Sequence, residues 1–170
     1  MEIEKLLHAI YEYSPGYLYP NIRFTAETAA KVSEVIDLRW DDLNPQDGTV
    51  KFKQREKIQS RKLNISDELA HILNKKKRRS KLVFLTYYND PFTRTKLTRA
   101  VNEFKQQNAL SLSWDPSDLR HSFAVNFLLK GGDIRELQRI LGHNNVFDTK
   151  RLYGEVASNT ATENLINLFE

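Results

Sequence analysis

Cysteine is missing altogether from this 170-residue chain, which excludes disulfides, thiol catalysis and thiolate-held zinc. No stretch approaches the roughly 20 consecutive apolar residues that a bilayer-crossing helix needs. The opening residues, MEIEKLLHAIYEY, carry acids and helical periodicity where a secretory signal would have a basic start and a long apolar run. Internal repeats and low-complexity tracts are missing as well. A reducing, cytoplasmic setting fits these absences. What is present is a 40% apolar composition, enough to fill one core at this length, so a single domain over 1–170 is the expected organisation.

Charge is modest in sum and uneven in place. Lys and Arg number 26 against 22 Asp and Glu, a net charge of +4. The excess gathers in two runs. The first holds Lys51, Lys53, Arg55, Lys57, Arg61 and Lys62 around the single acid Glu56; the second holds Lys75, Lys76, Lys77, Arg78, Arg79 and Lys81 with no acid. Either run alone reads as a solvated face as readily as a phosphate-binding one. Two runs so close in a short chain point to nucleic acid.

Most of the chain has helical periodicity. Ile3, Leu6, Leu7 and Ile10 share a face, as do Ala29, Val32, Val35 and Ile36. Between them, YEYSPGYLYP with Pro15, Gly16 and Pro20 predicts a loop. After the turn residues Pro45, Asp47 and Gly48, TVKFK and RKLNI alternate as paired strands do, predicting a hairpin over about 49–66. Helices are expected again from Ser66, from Thr93 to Gln107 and from the cap Asp115-Pro116 until Gly131-Gly132. The next is expected from Asp133, boxed with Glu136, to Gly142. The fold class is therefore mainly α with a small β-hairpin or sheet.

Three elements follow one another in the last third of the chain: DLRHSFA from Asp118, LGH ending at His143, and KRLY ending at Tyr153. Upstream lie AAKVSEV from Ala29, placed at the centre of a helix, and the hairpin. This ordered set resembles the catalytic domain of the tyrosine recombinases, the phage-integrase family, from about Ile3 to the C-terminus. The resemblance implies that fold and an enzyme that cuts and rejoins DNA through a 3′-phosphotyrosyl bond, in integration or recombination, with no metal or cofactor. The second reading keeps the fold and the DNA binding as a catalytically degenerate regulatory module.

The resemblance also implies roles. Tyr153 is the nucleophile, and Lys150 and Arg151 beside it are expected to favour its phenolate. Arg120 and His143 hold the phosphate oxygens, for which a guanidinium fork is well shaped. Lys57 is the general acid, with Lys53 and Arg55 as alternatives. Lys31 falls where the family has its first catalytic arginine, keeping charge without the fork. Ser117 falls where it usually has histidine, so Lys31 and Ser117 are expected to attenuate the rate. Glu34 matches a buried glutamate of the family or, equally, a solvated helix carboxylate, and His121 has a supporting role. Tyr153 follows His143 by ten positions where nine are usual. The expected partner is double-stranded DNA, contacted by Lys51, Lys53, Arg55, Arg61, Lys62, Lys75, Lys76, Lys77, Arg78, Arg79, Lys150 and Arg151. The family's N-terminal DNA-clamping domain is expected to be absent from this chain. A C-terminal helix over about 160–169, capped by Thr160 and Glu163 and carrying Leu165, Ile166, Leu168 and Phe169, is expected either to dock on a neighbouring copy in a DNA-bound tetramer or to fold back on its own domain.

Overall fold

The computed structural model describes residues 3–14, 16–54, 58–107 and 115–167. Helix α1 (Ile3–Tyr13) buries Leu7 and Ile10. Helix α2 (Tyr19–Thr28) follows, and the expected loop is shorter than its composition suggested. Pro20 opens α2 instead of breaking it, because in the first turn the missing N–H is not needed and the fixed φ suits entry.

The larger departure from the sequence reading lies at Ala29. The expected helix centred on Ala29-Ala30-Lys31 is in fact a break: α2 stops at Thr28, Ala29 takes a φ of 51°, and α3 (Val32–Ile36) starts after Lys31. Thr28 accounts for part of this. Its hydroxyl donates to the Phe24 carbonyl and accepts from the Ala30 N–H at 3.3 Å, offering the backbone a local partner in place of another helical turn. A left-handed alanine costs about 1–2 kcal/mol, and such strain gathers where function needs it.

A 3₁₀ turn at Trp40–Asp42 leads into an antiparallel sheet of β1 (Leu43–Asn44), β2 (Thr49–Phe52) and β3 (Arg61–Asn64), in that spatial order. The hairpin is therefore present, with β1 added to its edge. Val50 faces Leu63, Phe52 faces Arg61, and Lys51 faces Lys62. The hairpin residues Arg55 and Lys57 lie outside the described residues.

Helix ends follow the local chemistry read from the sequence. Ser66 caps α4 (Asp67–Asn74) by accepting from the Leu69 N–H. Leu97, Val101 and Phe104 form the buried stripe of α5 (Arg94–Gln107). At α6 (Pro116–Leu129), Asp115 accepts from the Ser117 and Asp118 N–H groups, while Asp118 accepts from the Asp115 N–H at 2.8 Å. The Asp of the DLRH run thus closes a capping box. Asp133 caps α7 (Ile134–Leu141) by accepting from the Arg135 and Glu136 N–H groups, a one-way cap in place of the expected box with Glu136, and Gly142 at φ 69° ends it. Then α8 (Val146–Asn167) runs unbroken for 22 residues. Tyr153 therefore sits on a long helix and not a short segment, and Thr160 is interior to α8 instead of capping a separate terminal helix. Leu168 and Phe169 lie outside the described residues.

Among the described residues two apolar clusters result. The larger packs α1–α5 and the sheet around Phe24, Phe52 and Phe84. The smaller joins Ala124 and Leu128 of α6, Leu137 and Leu141 of α7, Tyr153 of α8, and Ala29. The break after α2 thus lies against the second cluster.

Gly142 fastens the hairpin to this region. Its carbonyl accepts from the Gln59 N–H at 2.8 Å, and Ile58 pairs with His143. A Cβ on residue 142 would lie 2.7 Å from Ile58 Cγ2 and 3.2 Å from the Gln59 carbonyl oxygen, at a left-handed φ. Gly142→Ala is expected to cost about 2–4 kcal/mol through backbone strain and overpacking. Urea unfolding measures it, and an unchanged midpoint would show that the hairpin yields freely.

Candidate active site

Arg120, on the second turn of α6, is the hub. Its Nη1 donates to the Ala29 carbonyl freed by the helix break, its Nη2 donates to the Leu141 carbonyl at 2.9 Å, and Nη2 lies 3.2 Å from His143 Nε2. Burial, reinforced by the nearby Arg61 charge and opposed by Glu34 and Tyr153, brings its pKa down to about 10. The guanidinium stays charged at neutral pH.

His143 follows Gly142, and its other nitrogen, Nδ1, lies 2.9 Å from the hydroxyl of Thr149. Burial first, then the positive charges of Arg120, Lys31 and Arg61, hold its pKa down at about 4. The ring is neutral at pH 7. Lys31 caps α3 at the edge of this field, its backbone N–H donating to Glu34 Oε2 at 2.9 Å.

Glu34 resolves to the buried alternative, with 3% exposure. Arg61 grips it through two bonds, Nη1 to Oε1 at 2.7 Å and Nη2 to Oε2 at 2.8 Å, and lies over the Phe52 ring at 4.2 Å. This corrects the expectation for Arg61. Its side chain is 5% exposed, so it braces the hairpin against α3 and presents nothing to a duplex.

Tyr153 is 6% exposed, its ring packed 5.3 Å from that of His121. Burial raises the phenol pKa, and the Arg120 charge opposes it. The expected help from Lys150 and Arg151 is not there, because both side chains are exposed to solvent. Ser117 stands exposed in the first turn of α6, one turn before Arg120.

The structure therefore brings Arg120, His143 and Tyr153 together, with Lys31 at the rim. Lys57 lies outside the described residues, and the alternative, Lys53, places its ammonium 2.8 Å from Asp42. Of the remaining cations, Lys51, Lys62, Lys75, Lys77 and Arg79 are exposed. Arg78 rests over the Trp40 ring, and Lys76 is partly buried, which lowers its pKa. The sequence reading missed Thr149 and the carbonyls of Ala29 and Leu141. Among the described residues no helix is long and apolar enough to cross a membrane.

A helical frame carrying Arg120, His143 and a buried tyrosine beside a small sheet is the arrangement of a tyrosine recombinase catalytic domain. A family model described as the phage integrase family matches residues 1–160, and the chain belongs to that family. Tyrosine recombinase XerC of Pediococcus pentosaceus is 28% identical over 99% of this chain and 60% of its own length. XerC of Halalkalibacterium halodurans is 31% identical over 88% of this chain and 54% of its own length. The catalytic domain of bacteriophage HP1 integrase superposes with a TM-score of 0.68 at 27% identity, covering 91% of this chain and 84% of that one. The XerA recombinase shares the fold, with a TM-score of 0.78 at 22% identity over 96% of this chain and 61% of that one. The chain thus spans little more than half the length of these curated relatives.

Proposed function

We propose that this chain is the DNA-cleaving portion of a tyrosine recombinase, acting in site-specific recombination or integration. The observation that carries the reading is the Arg120 guanidinium, still charged, held between two carbonyls and facing both a neutral histidine and a buried tyrosine. In the reaction, Tyr153 loses its phenolic proton and its oxygen attacks the phosphorus. The bond to the 5′ oxygen breaks, that oxygen takes a proton, and the 3′ phosphate remains on Tyr153. Arg120 and His143 meet the charge that builds on the non-bridging oxygens. Lys31 adds charge without a bidentate fork, and Ser117 adds one hydroxyl. Lys57 remains the proposed general acid, since Lys53 is engaged with Asp42. Membership of the family supports the enzyme over the degenerate module. Because Tyr153 is buried, α8 must ease outward before the phenol meets a phosphate.

Incubation with a library of nicked duplexes of randomised sequence, followed by denaturing electrophoresis, tests the proposal. A protein–DNA adduct resistant to denaturant supports it, and none across the library would leave only a DNA-binding role.

The proposed duplex surface is the exposed face of the hairpin with the start of the second basic run. Lys51 and Lys62 are direct cross-strand neighbours, a like-charge pairing that weakens a sheet unless an anion lies over it. Lys150 and Arg151 extend the surface along α8. The C-terminal part of α8, with Leu165 and Ile166, is proposed to dock on a neighbouring copy in a DNA-bound tetramer. Replacing Lys75 and Lys77 with Gln is expected to weaken binding to all sequences alike. It should also reduce the slope of log affinity against log salt by about 0.9 for each phosphate that is no longer neutralised. Fluorescence anisotropy measures both, and a weakening confined to particular sequences would indicate base readout.

A further inference from the structure

The two nitrogens of His143 have different partners, and the proposed chemistry uses only one of them. Nε2 faces Arg120 Nη2 at 3.2 Å, and Nδ1 faces Thr149 Oγ1 at 2.9 Å. A guanidinium only donates, so Nε2 offers its lone pair and the neutral ring carries its proton on Nδ1, donating to Thr149. Thr149 is fully buried, on the first turn of α8, four residues before Tyr153. A phosphodiester presents only acceptor oxygens, so to bind one the neutral ring must carry its proton on Nε2 instead. Nδ1 then needs a donor. A carbonyl or carboxylate at the place of Thr149 could only accept, whereas a hydroxyl turns to do either.

We propose that Thr149 is a positioning residue that serves both tautomers of His143, accepting from Nδ1–H while Arg120 occupies Nε2 and donating to Nδ1 when Nε2–H faces a phosphate oxygen. The exchange balances: one proton leaves Nδ1 to water, another arrives at Nε2 from water, and the ring stays neutral. The phosphate half rests on the recombinase reading; the tautomer of the free protein does not.

The test is ¹⁵N-edited NMR of the histidine rings in the full chain, together with adduct formation on the nicked-duplex library. Wild type is expected to show a protonated Nδ1 and a bare Nε2 at His143. Thr149→Val, near in shape, keeps the tautomer that Arg120 imposes but leaves Nδ1–H without its acceptor, so the Nδ1–H signal should shift and exchange faster with water. Adduct formation should slow roughly tenfold, the effect of one missing hydrogen bond, and Thr149→Ser should restore both. Should the Val variant fail to fold, Thr149→Ala must show the same change at Nδ1–H. An unchanged ring in a folded variant lacking the hydroxyl, or no rescue by Ser, overturns the proposal. If wild type forms no adduct, the recombinase reading falls while the free-protein spectra still decide the part of Thr149.

Discussion

Tyr153→Phe is expected to abolish the covalent protein–DNA adduct while leaving duplex affinity within about twofold, since the substitution removes one oxygen and no charge. The ring is the part of Tyr153 that packs: it is 6% exposed, belongs to the cluster with Ala124, Leu128, Leu137 and Leu141, and lies against His121. Phenylalanine fills the same space, so stability should change by no more than about 1 kcal/mol. Loss of adduct with retained fold and binding then isolates the phenolic oxygen. Denaturing electrophoresis and anisotropy on the same preparation provide the two readings. Adduct surviving in the variant would move the nucleophile elsewhere, and Tyr87 and Tyr88, both well exposed, are the next residues to substitute.

What the sequence disclosed, and what it hid, divides along the range of the forces involved. The starts of α4, α6 and α7 were legible because a cap is made by residues within one turn of each other: Ser66 with Leu69, Asp115 with Asp118, Asp133 with Glu136. Ala29 was not legible. Alanine is the best helix former, and the carbonyl that its left-handed turn sets free is taken by Arg120, 91 residues away. Arg61 was misplaced although the signal was there: in RKLNI the alternation that sends Leu63 and Ile65 inward sends Arg61 with them. Its charge argued for solvent, and Glu34, the partner that permits burial, lies 27 positions upstream. Arg120, His143 and Tyr153 were legible as an ordered motif, but the state of the phenol was not. Lys150 and Arg151 are near in sequence and exposed to solvent, where water screens their charge, whereas burial of Tyr153 comes from α6 and α7. Thr149 carried no signal beyond its spacing from Tyr153.

Glu34→Gln is expected to destabilise the fold by about 3–5 kcal/mol, because it leaves the Arg61 charge buried without its counter-ion. The side chains of Arg61 and Glu34 are 5% and 2% exposed. Burial alone would push the Glu34 carboxyl up, but the bonds and charge of Arg61, with the Lys31 N–H and the Arg120 charge, outweigh it and hold the pKa below the usual carboxylate value. Glu34 therefore stabilises the fold fully above the unfolded pKa of about 4.3, and that contribution is lost as the pH falls through the lower, folded value. The difference between wild type and Glu34→Gln in urea should be full at pH 7 and shrink in acid. The paired change Glu34→Met with Arg61→Leu buries no charge and should recover much of the stability. A single variant within about 1 kcal/mol of wild type at pH 7 would mean that water reaches the pair and that the hairpin is held to α3 by Phe52 and its apolar neighbours instead.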